Sequence, residues 1–158
     1  MKKWKPQEII VNEKVKLFTI GFTKKSAETF FGKLEKAGVK KIIDIRLNNI
    51  SQLAGFSKKN DLIYFLKTIC GCGYRHETLL APTEQILEAY KKKMISWTEY
   101  ANKFNDLLRV RKAHELVSAS ELHGSCLLCS EPVPDKCHRR LVAEYFRDHF
   151  NNISITHL

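Results

Sequence analysis

The sequence predicts an α/β fold, a three-layer sandwich with a mainly parallel sheet of about five strands. Three observations predict it. Short apolar runs of strand length alternate with segments whose apolar residues recur at helical spacing. The helical segments between them are long enough, at roughly ten residues, to carry parallel crossovers. The 158 residues, 44% of them hydrophobic, suffice for one buried core and contain no internal repeat or Gly/Ser linker.

The elements follow in order. Residues 1–14 show little periodicity and are expected to form an N-terminal extension; residues 15–158 form a single α/β domain. Residues 15–20 are a strand run ending at Gly21. Ser26 caps a helix with Phe30, Phe31, Leu34 and Ala37 on its apolar face, and Gly38 stops it. Residues 41–45, Lys-Ile-Ile-Asp-Ile, are the next strand, and a polar loop runs to Ser57. Ser57 is expected to cap a second helix (Leu62, Phe65, Leu66, Ile69) that closes at Gly71 and Gly73. A short extended piece follows at Tyr74, Arg75 and His76, and residues 83–93 read as a third helix. Ser96-Trp97-Thr98-Glu99 has the form of a capping box. It opens a long helix with Trp97, Tyr100, Ala101, Phe104, Leu107 and Leu108 on one stripe. Residues 125–129 are a strand, Asp135 is the expected N-cap of a final helix over 136–150, and residues 153–157 close as a strand.

Charge bounds the partners. Lys and Arg total 27 against 17 Asp and Glu, a formal charge of +10. That balance attracts polyanions, so nucleic acid or a phosphate-bearing small molecule is the expected partner. The alternative is solubility alone, since many lysines stand in pairs at element ends. No apolar run approaches the ~18 residues needed to span a bilayer, and the start of the chain lacks a signal-peptide core. A cytoplasmic protein without a membrane partner is expected. Five cysteines are an odd count, which points to reduced thiols rather than a disulfide framework.

Three strand ends carry unexpected polar groups. Asp44 interrupts the apolar run before Arg46, where a buried parallel strand is nearly all apolar. It either anchors the following loop or serves as a carboxylate that orients Arg46 or moves a proton. Tyr74-Arg75-His76-Glu77 follows a glycine-flanked turn and is either an exposed polar loop or part of a site. The third and richest segment is Cys129-Ser130-Glu131 through Cys137-His138-Arg139-Arg140. It lies at a strand-to-helix junction, where ligands bind in open α/β sheets. Arg139 and Arg140 fall in the first turn of the helix, where cations are disfavoured unless an anion binds there too. Cys137 is either a reactive thiol at a helix N-terminus or an inert buried one.

Other signals fail. Cys126 and Cys129, three apart on a strand, point to opposite faces and form no close dithiol. The P-loop, the dinucleotide glycine fingerprint, the zinc-deaminase signature and a phosphatase-type cysteine loop are all absent from the sequence. No cofactor is specified. A metal ion on Cys129, Cys137 and His138, with His76 as a further ligand, fits no standard spacing but stands as the one cofactor candidate.

The pieces, in this order, resemble the domain of unknown function 488 family. The matching stretches are Thr19-Ile20-Gly21, Asp44-Ile45-Arg46, Tyr74-Arg75-His76, Leu127-Leu128-Cys129-Ser130-Glu131, Cys137-His138-Arg139 and Ile155-Thr156-His157-Leu158. The resemblance runs over residues 15–158, and Cys-x-Glu followed by Cys-His-Arg is its most specific part. The family's first motif looks like Thr-Ile-Gly-His-Ser, and here Phe22 and Thr23 take the last two places. The resemblance implies an α/β fold with the motifs gathered at one edge of the sheet, and no established reaction.

The leading expectation is an enzyme acting on a phosphate-bearing substrate, nucleic acid or nucleotide. In it Arg46, Arg75 and Arg139 hold phosphate, with Tyr74 beside them, because guanidinium makes charged, bidentate contacts. His76 or His138 transfers a proton. Glu131 and Asp44 orient a histidine or act as base, and Cys137 or Cys129 is a nucleophile or pocket wall. A non-catalytic module would use the same arginines on phosphates and stack bases on Tyr74, Trp4 or Phe56. A metal or thiol sensor would use Cys129, Cys137, His138 and His76.

Overall fold

The computed structural model describes residues 14–50 and 55–158. Strands β1 (Val15–Gly21), β2 (Lys41–Asp44), β3 (Gly73–His76), β4 (Ser125–Cys129) and β5 (Ile153–His157) pair in one sheet. All pairs are parallel, in the order β3-β2-β4-β1-β5. β4 lies at the centre and is buried along its whole length, which is why its sequence, Ser-Cys-Leu-Leu-Cys, carries no charge.

Alternation along the strands sorts side chains onto two faces. On one face Ile20, Ile42, Cys126 and Leu128 pack with Phe30, Phe31 and Leu34 of α1 (Ala27–Ala37) and Leu62 of α2 (Lys59–Phe65). On the other, Leu17, Ile43 and Leu127 meet Phe104 and Leu108 of α4 (Trp97–Val110) and Val142 and Phe146 of α6 (His138–Phe150). Each such fully buried side chain contributes about 1.5–3 kcal/mol of transfer free energy. The shorter helices α3 (Glu84–Lys91) and α5 (Ala119–Leu122) lie on the path from β3 to β4.

Local chemistry explains the element ends. Ser26, Thr83 and Ser96 each accept the backbone N–H that an N-cap should, from Thr29, Ile86 and Glu99. Gly38 ends α1 at φ 71°, in the left-handed region that a Cβ disfavours. The structure corrects three expected boundaries. β2 stops at Asp44, because the Asp44 carboxylate turns back onto the next backbone N–H but one, at Arg46. Ser57 belongs to a 3₁₀ turn, Lys58 precedes α2, and the apolar pattern to Ile69 continues as a π-helical turn over Leu66–Cys70. The last helix starts at His138 with Cys137 at its N-cap, so Asp135 lies in the preceding turn and caps nothing there.

The expected extension lies, apart from Lys14, outside the described residues, and Trp4 lies outside with it. Among the described residues no helix is long and apolar enough to cross a membrane.

Candidate active site at the carboxyl edge of the sheet

The crossovers that follow β1 and β2 pass over the α1/α2 face, whereas the one that follows β4 passes over the α6 face. Connections therefore leave in opposite directions around the carboxyl end of β4. That divergence opens a crevice in doubly wound sheets. The crevice is a cleft of 850 Å³ with Arg46 on one wall and Cys129, Glu131, Cys137 and His138 on another. Tyr90, Trp97 and Tyr100 and the lysines Lys91, Lys93 and Lys136 complete it.

Arg46 is the most constrained of these residues. Its Nε and Nη2 each donate to one oxygen of Asp44 at 2.8 Å, a bidentate pair with side chains 2% and 0% exposed. The Tyr74 hydroxyl donates to the same carboxylate at 2.5 Å, and Asn49 Nδ2 donates to that hydroxyl at 2.9 Å. Burial, and then the bond to Asp44, pushes the Tyr74 phenol well above its usual range, so it remains a donor. The Phe22 ring lies 5.4 Å from the guanidinium carbon. Arg46 Nη1 is left buried without a hydrogen-bond partner among the described residues. A charged donor so placed is costly unless something arrives to accept from it.

Two histidines brace the backbone beside it. His76 Nε2 donates to the Arg46 carbonyl at 2.7 Å, and His138 Nε2 donates to the Ile45 carbonyl at 2.8 Å. A carbonyl can only accept, so the proton of neutral His138 sits on Nε2 and Nδ1 keeps its lone pair. Burial lowers the His138 pKa to about 4, which keeps the ring neutral at pH 7.

The loop from Ser130 to Cys137 is seated by backbone contacts. Thr23 N–H donates to the Ser130 carbonyl at 3.1 Å, and Lys25 Nζ donates to the Pro132 carbonyl at 3.3 Å. A Cβ built on Gly21 would stand 1.6 Å from the Glu131 carbonyl oxygen, so only glycine lets the loop cross the end of β1. Cys129 and Cys137 meet sulfur to sulfur where the strand end faces the helix start. The expectation of five reduced thiols is corrected to that extent; Cys70, Cys72 and Cys126 are free.

The cleft thus gathers Arg46, Glu131, Cys137 and His138. Asp44, Tyr74 and His76 stand behind it as supports for Arg46 and do not line it. Arg75 is elsewhere, bonded to Glu77 and to the Leu116 carbonyl. Arg139 does not line the cleft either. It is fully buried with none of its three guanidinium nitrogens partnered among the described residues. Its charge, after burial itself, depresses the neighbouring Lys25 ammonium. The four-ligand metal set is not assembled, since no group of three or more His, Cys, Asp or Glu is placed to hold an ion among the described residues.

Sequence reasoning missed the aromatic wall. Tyr90, Trp97 and Tyr100 pack with ring centroids 5.0–5.8 Å apart, Trp97 stacked on Tyr100. Of the stacking candidates named from sequence, Tyr74 is bound to Asp44 and Phe56 packs against Phe30 and Phe31 in the opposite layer. Trp97 and Tyr100 were visible only as members of an apolar stripe, and both border the cleft while packing with the core.

Fold and cleft together define a doubly wound parallel α/β protein with an arginine, histidine and paired cysteines at the carboxyl edge of its sheet. The chain belongs to the family described as Domain of unknown function DUF488, which matches residues 26–146. The match includes the Asp44–Arg46 and Cys137–Arg139 motifs and leaves out the first motif at Thr19–Gly21. No curated protein and no solved structure matches the chain.

Proposed function

We propose that the cleft is a catalytic site for a phosphate-bearing substrate, a nucleotide or a nucleic-acid segment. The observation that carries this reading is Arg46 Nη1, a buried donor without a partner among the described residues, on a guanidinium that Asp44 holds rigid. Guanidinium is always charged and matches phosphate geometry, and a pre-oriented one loses little entropy on binding. Lys91, Lys93 and Lys136 add positive charge at the mouth. Tyr90 and Trp97, half-buried and lining the cleft, offer a base a stacking surface.

Neutral His138 supplies a lone pair on Nδ1 and acts as general base, with the Ile45 carbonyl fixing its tautomer. Glu131 is the exposed carboxylate on the same cleft and assists proton transfer. Asp44, Tyr74 and His76 are positioning residues that act through Arg46.

Turnover separates this reading from a binding module. End-labelled single- and double-stranded DNA and RNA, and free nucleotides, are incubated with the full-length protein and resolved for product. The expected result is product formation that His138→Gln reduces at least about 100-fold, the usual scale of a general base, with binding retained. Binding without product across these substrates would leave an anion-binding module.

A further inference from the structure

We infer that Cys129 and Cys137 are a reversible dithiol–disulfide couple in the cleft wall, and that the couple exchanges with small disulfides bearing carboxylates. The proposal rests on the cleft geometry and does not depend on the phosphate-bearing substrate.

Four observations carry it. The two sulfurs meet across the junction of β4 and α6, although the residues lie eight positions apart in sequence. Both residues border the cleft, 0% and 2% exposed, so the pair lies against the space that a small molecule in the cleft would occupy. Cys137 is the N-cap of a thirteen-residue helix and its side chain accepts no capping bond, and the helix end favours negative charge on its sulfur. Arg46 lines the same cleft, its Nη1 without a partner among the described residues, and suits a carboxylate on the incoming molecule.

The remaining cysteines differ in place and partners, not in burial, since Cys129 and Cys137 are themselves 0% and 2% exposed. Cys126 is wholly buried, and burial pushes its thiol far above the usual range. Cys72 donates to the Val39 carbonyl at 2.9 Å and is pushed up to about 12, chiefly by burial. Cys70 is half-buried against α1, and burial raises its thiol too. None lines the cleft.

The exchange balances in two steps. Cys137, as thiolate, attacks one sulfur of the small disulfide, whose S–S bond breaks and releases one thiolate. Cys129 then loses its proton and attacks the Cys137 sulfur of the mixed disulfide. The Cys129–Cys137 bond forms, and the second small thiolate leaves and takes up the proton. Two protein thiols are oxidised and one disulfide is reduced to two thiols.

The test equilibrates the folded full-length protein with a series of reduced-to-oxidised glutathione ratios. Samples are acid-quenched, labelled with a maleimide and weighed by mass spectrometry. Two of the five thiols should disappear together, and peptide mapping should place the bond between Cys129 and Cys137. In Cys129→Ser a glutathione adduct should accumulate on Cys137, and in Cys137→Ser the adduct yield at Cys129 should fall at least tenfold. Circular dichroism on both serine variants confirms that they fold. Independent loss of thiols, or a pair that stays reduced in excess oxidised glutathione, would overturn the couple. So would a bond that excess dithiothreitol leaves intact in the folded protein. Because the readout is a thiol count, it stands whether or not a phosphate-bearing ligand binds.

Discussion

Asp44 grips Arg46 through both carboxylate oxygens and leaves one guanidinium nitrogen, Nη1, buried and without a hydrogen-bond partner among the described residues. The pair joins two consequences of the same two residues. It closes the end of β2, and it fixes an arginine in the wall of the cleft. Removing only Arg46, as in Arg46→Met, strands a buried carboxylate and should cost about 3–5 kcal/mol of stability. The double variant Asp44→Asn/Arg46→Met removes both charges and should recover most of that loss. Urea denaturation at pH 7 checks both; equal destabilisation in the single and double variants would show that the pair is not the source of the cost.

The Tyr74 hydroxyl is shared between the Asp44 carboxylate and Asn49. Tyr74→Phe keeps the ring and removes a hydrogen bond to a charged group. The expected cost is about 1.5–3 kcal/mol, read as a shift of the urea midpoint with unchanged slope. A shift below about 0.5 kcal/mol would mean that Arg46 alone satisfies Asp44.

Gly21 is a further point of leverage, because the Glu131 backbone crosses where its side chain would be. Gly21→Ala should push the Ser130–Lys136 loop off the end of β1. The expected result is a loss of about 1–3 kcal/mol together with altered access to Cys137, measured by thermal denaturation and maleimide labelling rate. Wild-type values for both would contradict the close approach.

His138 makes stability depend on pH in a definite direction. Its native pKa, lowered by burial to about 4, lies below the ordinary histidine value of 6.5. Between these values the unfolded chain binds the proton more readily, so stability should fall as pH drops from about 6.5 towards 4 and be flat above. His138→Asn should remove that part of the slope. Urea titrations of both proteins at pH 7, 5.5 and 4.5 give the difference; parallel profiles would place the histidine in water.

Much of the fold was legible because local rules agree with global packing here. Ser26 and Ser96 cap the helices that their positions announce, and the uncharged Ser-Cys-Leu-Leu-Cys run is the central strand. Strand order was not legible, since nothing in the local pattern says that β4 inserts between β1 and β2. The site was legible in parts. Asp44 stood out as a charge in an apolar strand, and the geometry supplies its reason in Arg46. Arg75 has the same composition cue but faces Glu77 and the Leu116 carbonyl, because strand alternation turns it away from Tyr74 and His76. The aromatic wall and the Cys129–Cys137 meeting depend on how α3, α4 and the 130–137 loop pack. Sequence spacing alone does not carry that information.

The most direct test of the central claim is fluorescence-anisotropy binding of short labelled DNA and RNA across a salt series. It compares wild type with the Asp44→Asn/Arg46→Met variant, which is designed to keep the fold. The account predicts salt-dependent binding by wild type and at least a tenfold weaker affinity in the variant, with a shallower salt slope. Equal affinity and slope in the two proteins would contradict it, and would place the basic charge of the chain outside the cleft.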